Sequence, residues 1–299
     1  MRVDKVLAQL LPSYSRTRIQ AWLQAQSITL AGNSLTPRQK VYAGQILQLI
    51  PQADPQQSAY QAEAIAFDVI FEDASLLVIN KAAGQVVHPA AGHWQGTLLN
   101  GLLHRYPQLH HIPRAGIVHR LDKLTSGLMV VAKTLSAHQY LVQQLQARAI
   151  KRQYWAIVHG KPPAQGCVDA PIGRHPRDRV RMAVIAQGKQ AITYYRCLHR
   201  YRDCSLLECQ LHTGRTHQIR VHMQAIGHPL LGDPTYGIRP NSYTQALREL
   251  LADFHRQALH AIHLELIHPY SKQIMRWHAP PATDMQALLL RLQTTIDPD

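Results

Sequence analysis

Acidic residues are scarce in this 299-residue chain: Lys and Arg outnumber Asp and Glu 32 to 18, giving a formal net charge of +14. That surplus points to a polyanionic partner, nucleic acid first and an anionic membrane surface second. Membrane association has little else behind it. No run approaches the ~18 apolar residues of a spanning helix, and no lipidation motif is present. The first residues, MRVDKVLAQLLPSYSRTR, lack the apolar core and cleavage site of a signal peptide, so a cytoplasmic location is expected. The four cysteines, Cys167, Cys197, Cys204 and Cys209, show no C-x-x-C pair, which removes the usual zinc and disulfide frameworks. None of the 19 histidines falls in an H-E-x-x-H pattern, and His217 and His222 have no carboxylates nearby in sequence, so no metal is expected. No internal repeat is found.

What is present divides into a small N-terminal unit, residues 1–50, a connecting segment, 51–64, and a large remainder, 65–299. In the first unit Met1–Leu11 and Ser13–Ala25 read as short helices; Ile19, Trp22 and Leu23 recur at helical spacing behind Ser13 or Ser15 as N-cap. SITLAGNSL carries a Gly-Asn turn between strand-like runs, and VYAGQILQLI closes the unit as a strand. The segment PQADPQQSAYQAEA is rich in Pro, Gln and Ala without apolar periodicity, as linkers are. Beyond it, LLVINK, GIVHRL, GLMVVAKT, RQYWAIVHG, AITYYRCLH and CSLLECQLH read as strands or apolar runs. GTLLNGLLHRY, SAHQYLVQQLQARAI with Ser136 as N-cap, IRVHMQAIG, NSYTQALRELLADFHRQAL and ATDMQALLLRLQTT read as helices. The order is neither a regular βαβ series nor all-β, so an α+β fold with a mixed sheet and flanking helices is expected.

Two helices followed by a hairpin, with SRTRI on the second helix, resemble the S4-type RNA-binding domain. The resemblance implies that Arg16, Arg18, Arg38 and Lys40 meet RNA phosphates, contacts that position a protein without reading sequence. The chain departs from that pattern at Gly44-Gln45, where Gly-Asp is usual.

HRLDKLTSG, residues 119–127, sets Asp122 among His119, Arg120 and Lys123. On local features an Asx-turn between two apolar runs is the plainer reading. Chemistry is the alternative, with one carboxylate as nucleophile or base. Retaining glycosidases need a second flanking acid, and none lies within this motif, leaving only a distant Asp or Glu; phosphoryl transfer wants a glycine-rich cradle or a metal cluster, and neither is found. The surrounding cations suit a carboxylate that stays ionised and faces an anionic substrate.

GIVHRLDKLTSGLMVVAKT closely resembles the signature of the RluA-type pseudouridine synthases, in which the Asp of H-R-L-D is catalytic. LLVINKAAGQVVHP, KRQYWAIVHG and TGRTHQIRVHMQAIGHPLLGDPTYG match in the family's order, and DAPIGRHPRDRVRMAV and RQALHA fit it too. The resemblance implies a catalytic domain built on a mixed, largely antiparallel sheet. It also implies isomerisation of RNA uridine to its C-glycoside without a cofactor, after the base is flipped out of its stack.

By the same resemblance Asp122 starts the reaction, by attack or by proton abstraction. Tyr154 stacks on the flipped base and is a candidate to help remove the C5 proton. Arg220 pairs with Asp122, Ile219 walls the base pocket, and Arg120 enters the vacated stack. Arg215, Arg174 and His175 contact the RNA backbone. The motif combination looks most like the branch acting on the helix 69 stem-loop of 23S ribosomal RNA, with the RNA or a large-subunit precursor as partner and a monomeric chain. A tRNA-modifying relative, or a member acting on another rRNA site, is the alternative substrate class; a non-catalytic ribosome-assembly factor or a glycosidic hydrolase is the alternative function. Ala82, Leu124 and His212 stand where the family often has Pro, an acid and Glu.

Overall fold

A computed structural model describes residues 1–11, 16–50, 60–90, 93–238 and 242–296. The chain forms two compact units, Met1–Ser58 and Ala59–Asp299.

In the first unit, helices α1 (Val3–Leu10) and α2 (Arg16–Gln24) are followed by three short strands, β1 (Ile28–Leu30), β2 (Asn33–Ser34) and β3 (Leu47–Leu49). The strands pair antiparallel in the order β2-β1-β3. Val3, Leu7, Ile19, Trp22, Leu23 and Ile28 fill the core, so the apolar stripe of α2 lies where its spacing places it. Ser13 and Ser15, the expected caps of α2, lie outside the described residues. The hairpin turns at Ala31-Gly32, both at positive φ (49° and 81°), one residue earlier than the Gly-Asn pair suggests. Only Leu47–Leu49 of VYAGQILQLI is a strand, because the chain turns at Tyr42–Gln45 through Gly44 at φ 85°.

Nine strands of the second unit make one sheet: β4 (Asp68–Glu72), β5 (Leu76–Lys81), β6 (Ser126–Ala132), β7 (Lys151–His159), β8 (Gln165–Asp169), β11 (Ile192–Arg200), β12 (Cys204–Leu211), β13 (Leu259–Ile267) and β14 (Ile274–His278). Their order is β4-β5-β6-β13-β7-β12-β11-β8, with β14 on β13. All pairs are antiparallel except β6 with β13. Strands β9 (Ile172–Arg174) and β10 (Met182–Val184) form a separate hairpin. Helices α3 (Leu98–Arg105), α4 (Leu135–Gln146), α5 (Gln218–Ala225), α6 (Gln245–Leu250) and α7 (Thr283–Ile296) complete the unit. Among the described residues no helix is long and apolar enough to cross a membrane. Gln61 and Glu63, at the end of the 51–64 segment, already bond to Asn100 of α3, so the chain is tied to the second unit from there.

Three readings of local pattern are corrected by tertiary pairing. GIVHRL is not a strand: only Ile117 bridges, to Val131, and Arg114, Ala115 and Gly116 turn the chain at φ 54°, 50° and 78°. The expected long helix through NSYTQALRELLADFHRQAL stops at Leu250, and its end leads into β13, whose pairing on both sides outweighs helix propensity. The cap of α4 is Thr134, whose extended backbone lets Oγ1 accept from the Ala137 amide at 3.1 Å; Ser136 is already helical.

Candidate active site

The parallel register His260↔Ser126 and Ala261↔Gly127 sets the start of β13 against the chain just after Asp122. Gly127, at φ 113°, is required there: a Cβ would lie 2.3 Å from the Ala261 carbonyl oxygen. Asp122 opens a turn closed by the Thr125 amide on its carbonyl (3.1 Å). Residues from distant segments fasten that turn. Arg256 Nη1 donates to Leu124 O (3.3 Å), Gln257 Nε2 to Thr125 Oγ1 (3.1 Å), and Lys81 Nζ to Lys123 O (3.1 Å). Lys81 is fully buried and also donates to the carbonyls of Ala82 and Gln85, a use of three N–H bonds that only the ammonium form satisfies. Burial pulls its pKa down to about 7, against the attraction of Asp122. The family-atypical Ala82 and Leu124 therefore contribute backbone carbonyls here, which do not depend on their side chains.

Opposite this turn stands α5, whose start is locked by Gln218. Its Oε1 accepts from Thr213 Oγ1 and the Arg215 amide, and its Nε2 donates to Ile192 O and Thr193 Oγ1. Arg220, 4% exposed, then reaches across: Nη1 donates to Asp122 Oδ2 at 2.9 Å. Its Nε and Nη2 grip Asp233 side-on at 2.7 and 2.9 Å. Burial opposes the Arg220 charge, but the bonds and charges of Asp233 and Asp122 outweigh it and raise the guanidinium pKa. Burial pushes the Asp233 pKa up; Arg220 and the amides of Tyr236 and Thr235 pull it down further, so its carboxyl lies below the usual range. The Tyr236 ring lies under Arg220, 4.9 Å from centroid to Cζ.

Tyr154, from β7, and Ile219 are 4% and 3% exposed. With Asp122, Arg220, His217 and Arg215 they line a small hollow of about 50 Å³. Burial raises the Tyr154 phenol pKa, with Arg152 pulling the other way. Asp122, Tyr154, Arg120 and Arg215 also line a larger cavity of about 590 Å³. Its other basic residues are Arg114, Arg148, Arg152, His88, His119 and His212, while Asp122 is its one carboxylate among the described residues. Arg120 is exposed and donates to His88 Nε2 at 3.4 Å. His119 holds the backbone instead. Its Nε2 accepts from the Val130 amide at 3.1 Å, and burial pushes its pKa down to about 3, keeping the ring neutral.

Sequence motifs spanning this geometry match the family described as RNA pseudouridylate synthase, over residues 75–225. The chain is 51% identical to ribosomal large subunit pseudouridine synthase D of Nitrosomonas europaea, over 97% of this chain and 83% of that one. With the Pseudomonas aeruginosa protein of the same name it shares 50% identity, over 98% and 92%. The chain belongs to the RNA pseudouridylate synthase family. Human RNA pseudouridylate synthase domain containing 4 has the same fold, with a TM-score of 0.62 and 27% identity over 76% of this chain and 93% of that one.

Not every residue expected in the pseudouridine synthase site is near Asp122. Asp122, Tyr154, Arg220, Ile219, Arg120 and Arg215 converge on the two cavities. Arg174 and His175 lie at the β9–β10 hairpin and line neither. There, Arg174 donates to Arg179 O, and His175 Nδ1 accepts from the Arg177 and Asp178 amides. Arg16 and Arg18 belong to α2 of the first unit; their side chains lie outside the described residues. Sequence reading passed over Asp233, Tyr236 and His217 of the synthase, and Arg114, Arg148 and Arg152 around its cavity. The GDPTYG stretch entered only as part of a family match, with no role assigned to Asp233 or Tyr236, and no local signal tells a braced arginine from a solvated one.

Proposed function

We propose that this pseudouridine synthase acts on large-subunit ribosomal RNA, with Asp122 as its catalytic carboxylate and uridines of the helix 69 stem-loop as targets. The relatives named for the ribosomal large subunit, about half identical over nearly the whole chain, support the substrate. The observation that carries the catalytic assignment is the Arg220–Asp122 contact at 2.9 Å, at the edge of a cavity whose other charged lining is cationic.

Arg220 occupies Oδ2, which leaves Oδ1 as the reacting oxygen. The C1′–N1 bond breaks with Oδ1 acting at the sugar, the uracil turns, C5 bonds to C1′, and the C5 proton leaves as N1 gains one. Electrons balance without a redox partner. Flipping the base out of its stack costs a few kcal/mol. Tyr154 and Ile219 flank the extruded base, and exposed Arg120 fills its place. Arg215 meets the backbone, and Arg174 and His175 do so farther out. The first unit is an S4-type RNA-binding domain, whose Arg16, Arg18, Arg38 and Lys40 face RNA; its two helices, three-stranded sheet and exposed Arg38 and Lys40 support that reading. The chain works as a cytoplasmic monomer.

The test uses large-subunit RNA and a helix 69 stem-loop, both tritiated at uridine C5. Wild-type protein releases tritium from both, while Asp122→Asn loses roughly a thousandfold or more in rate and still binds RNA. Release from tRNA alone would relocate the substrate. Free uracil as product would make the protein a hydrolase, and RNA binding without any release would make it an assembly factor.

A further inference from the structure

We infer that His217 is a positioning residue for the reaction: a neutral imidazole with its proton on Nε2, directed at Asp122 Oδ1 while Arg220 holds Oδ2. The inference rests on the assignment of Asp122 as the catalytic carboxylate. His217 Nε2 stands 3.9 Å from Asp122 Oδ1, on the side Arg220 does not touch. That separation is too long for a hydrogen bond. Among the described residues no hydrogen bond reaches that oxygen, and a donor faces it.

The tautomer follows from the hydrogen-bond count around Tyr236, which is 1% exposed. Its hydroxyl oxygen accepts from the Met182 amide at 2.8 Å and meets His217 Nδ1 at 2.8 Å. If Nδ1 carried the proton, the phenol oxygen would accept twice and its own buried O–H would have no acceptor. If the phenol donates to Nδ1, both the Met182 amide and the buried phenol O–H are satisfied, and the imidazole proton sits on Nε2, facing Asp122 Oδ1. Tyr236 thus governs both neighbours of Asp122. It sets the tautomer of His217, edge-on at 5.5 Å, and packs under Arg220 at 4.9 Å.

The backbone at His217 is built around this placement. It takes the left-handed conformation, φ 58° and ψ 22°, at the first boundary of α5, uncommon for a residue with a Cβ. No side-chain cap bond accounts for it there. The groups facing the ring are Asp122, Asp233, Arg220, Arg120 and the Tyr236 hydroxyl. Burial leads in lowering its pKa below the ordinary histidine value, Arg220 and Arg120 add to the lowering, and Asp122 and Asp233 oppose it. Protonation would force Nδ1 to donate to Tyr236 and orphan the phenol proton, so the neutral ring is the working form.

The experiment measures kcat and KM for the full chain on C5-tritiated large-subunit RNA from acid to neutral pH, for wild type, His217→Gln and His217→Ala. Glutamine keeps an N–H near the Nε2 position and does not titrate. Expected are a loss of about tenfold in kcat with KM unchanged for H217A, and recovery to within about threefold for H217Q. The acid limb of kcat should lie at lower pH in H217Q than in wild type. Wild-type kcat in H217A overturns the inference. So does a loss in H217Q equal to that in H217A with an unmoved acid limb, since the ring would then serve packing alone. If H217A fails to fold, the H217Q profile still decides. A wild-type protein that releases no tritium from any RNA overturns the functional reading itself.

Discussion

Two groups of arginines surround one carboxylate, and they are treated in opposite ways. Arg220 is buried and fully engaged, with Asp233 along one edge of its guanidinium and Asp122 at the remaining nitrogen. Arg114, Arg120, Arg148 and Arg215 are exposed and Arg152 half-buried, and none has a carboxylate partner among the described residues. Their contacts are neutral: His88 for Arg120, His212 and Gln190 for Arg148, and the Gln190 carbonyl for Arg215. A paired cation in a low-dielectric setting holds geometry, because separating it from its anion is costly. A cation braced by neutral acceptors keeps its charge available, and a cavity full of them suits a polyanion. The first group aims the carboxylate; the second suits the RNA.

The largest effect that should separate the groups is on folding. Asp233→Asn removes one charge of a buried pair and should cost about 3–5 kcal/mol in denaturant unfolding. Asp122→Asn, whose side chain is 17% exposed, should cost much less. Equal losses would show that Arg220 does not distinguish its two partners.

Acid should act next, and on the buried framework. His260 is fully buried between Ser126 Oγ and Ala279 O, and burial pushes its pKa down to about 4, as it pushes His119 to about 3. Unfolded histidine titrates near ~6.5, so below that value the unfolded chain binds protons the native one refuses. Stability is therefore full above ~6.5 and falls as pH drops toward the native values, by about 3 kcal/mol for His260. Melting curves across this range should flatten in His260→Gln; an unchanged slope would move the acid sensitivity elsewhere.

The smallest effect on folding belongs to the open group. Arg148→Gln or Arg114→Gln should leave stability within ~0.5 kcal/mol. Each should lower the slope of log RNA affinity against log salt by about 1. A salt slope unmoved by both would remove these arginines from the RNA site and dissolve the comparison.

Much of the framework could be read locally. LLVINK is β5 residue for residue, and ATDMQALLLRLQTT is α7 to within a residue or two at each end. The failures share one cause. GIVHRL has strand composition but is entered through three consecutive positive-φ residues, Arg114, Ala115 and Gly116, and the end of the expected helix at Leu259 runs into β13, which has partners on both sides. Propensity is a weak preference, and ladder pairing or a forced turn overrides it.

The motif around Asp122, together with the stretches that hold Tyr154 and Arg220, was sufficient by residues and order to indicate the family, the reaction class and some of the residues that meet at the two cavities. Those signals are local, since each motif occupies a few consecutive positions. Whether an arginine is bound or free is not local. Arg220 grips Asp233, thirteen residues on, and Asp122, 98 residues back, only because α5 packs across the turn before β6. The same packing puts Tyr236 between Arg220 and His217 and, among the described residues, leaves the arginines of the larger cavity without a carboxylate partner. Coulomb energy and hydrogen bonds depend on separation in space, and only the folded chain sets those separations.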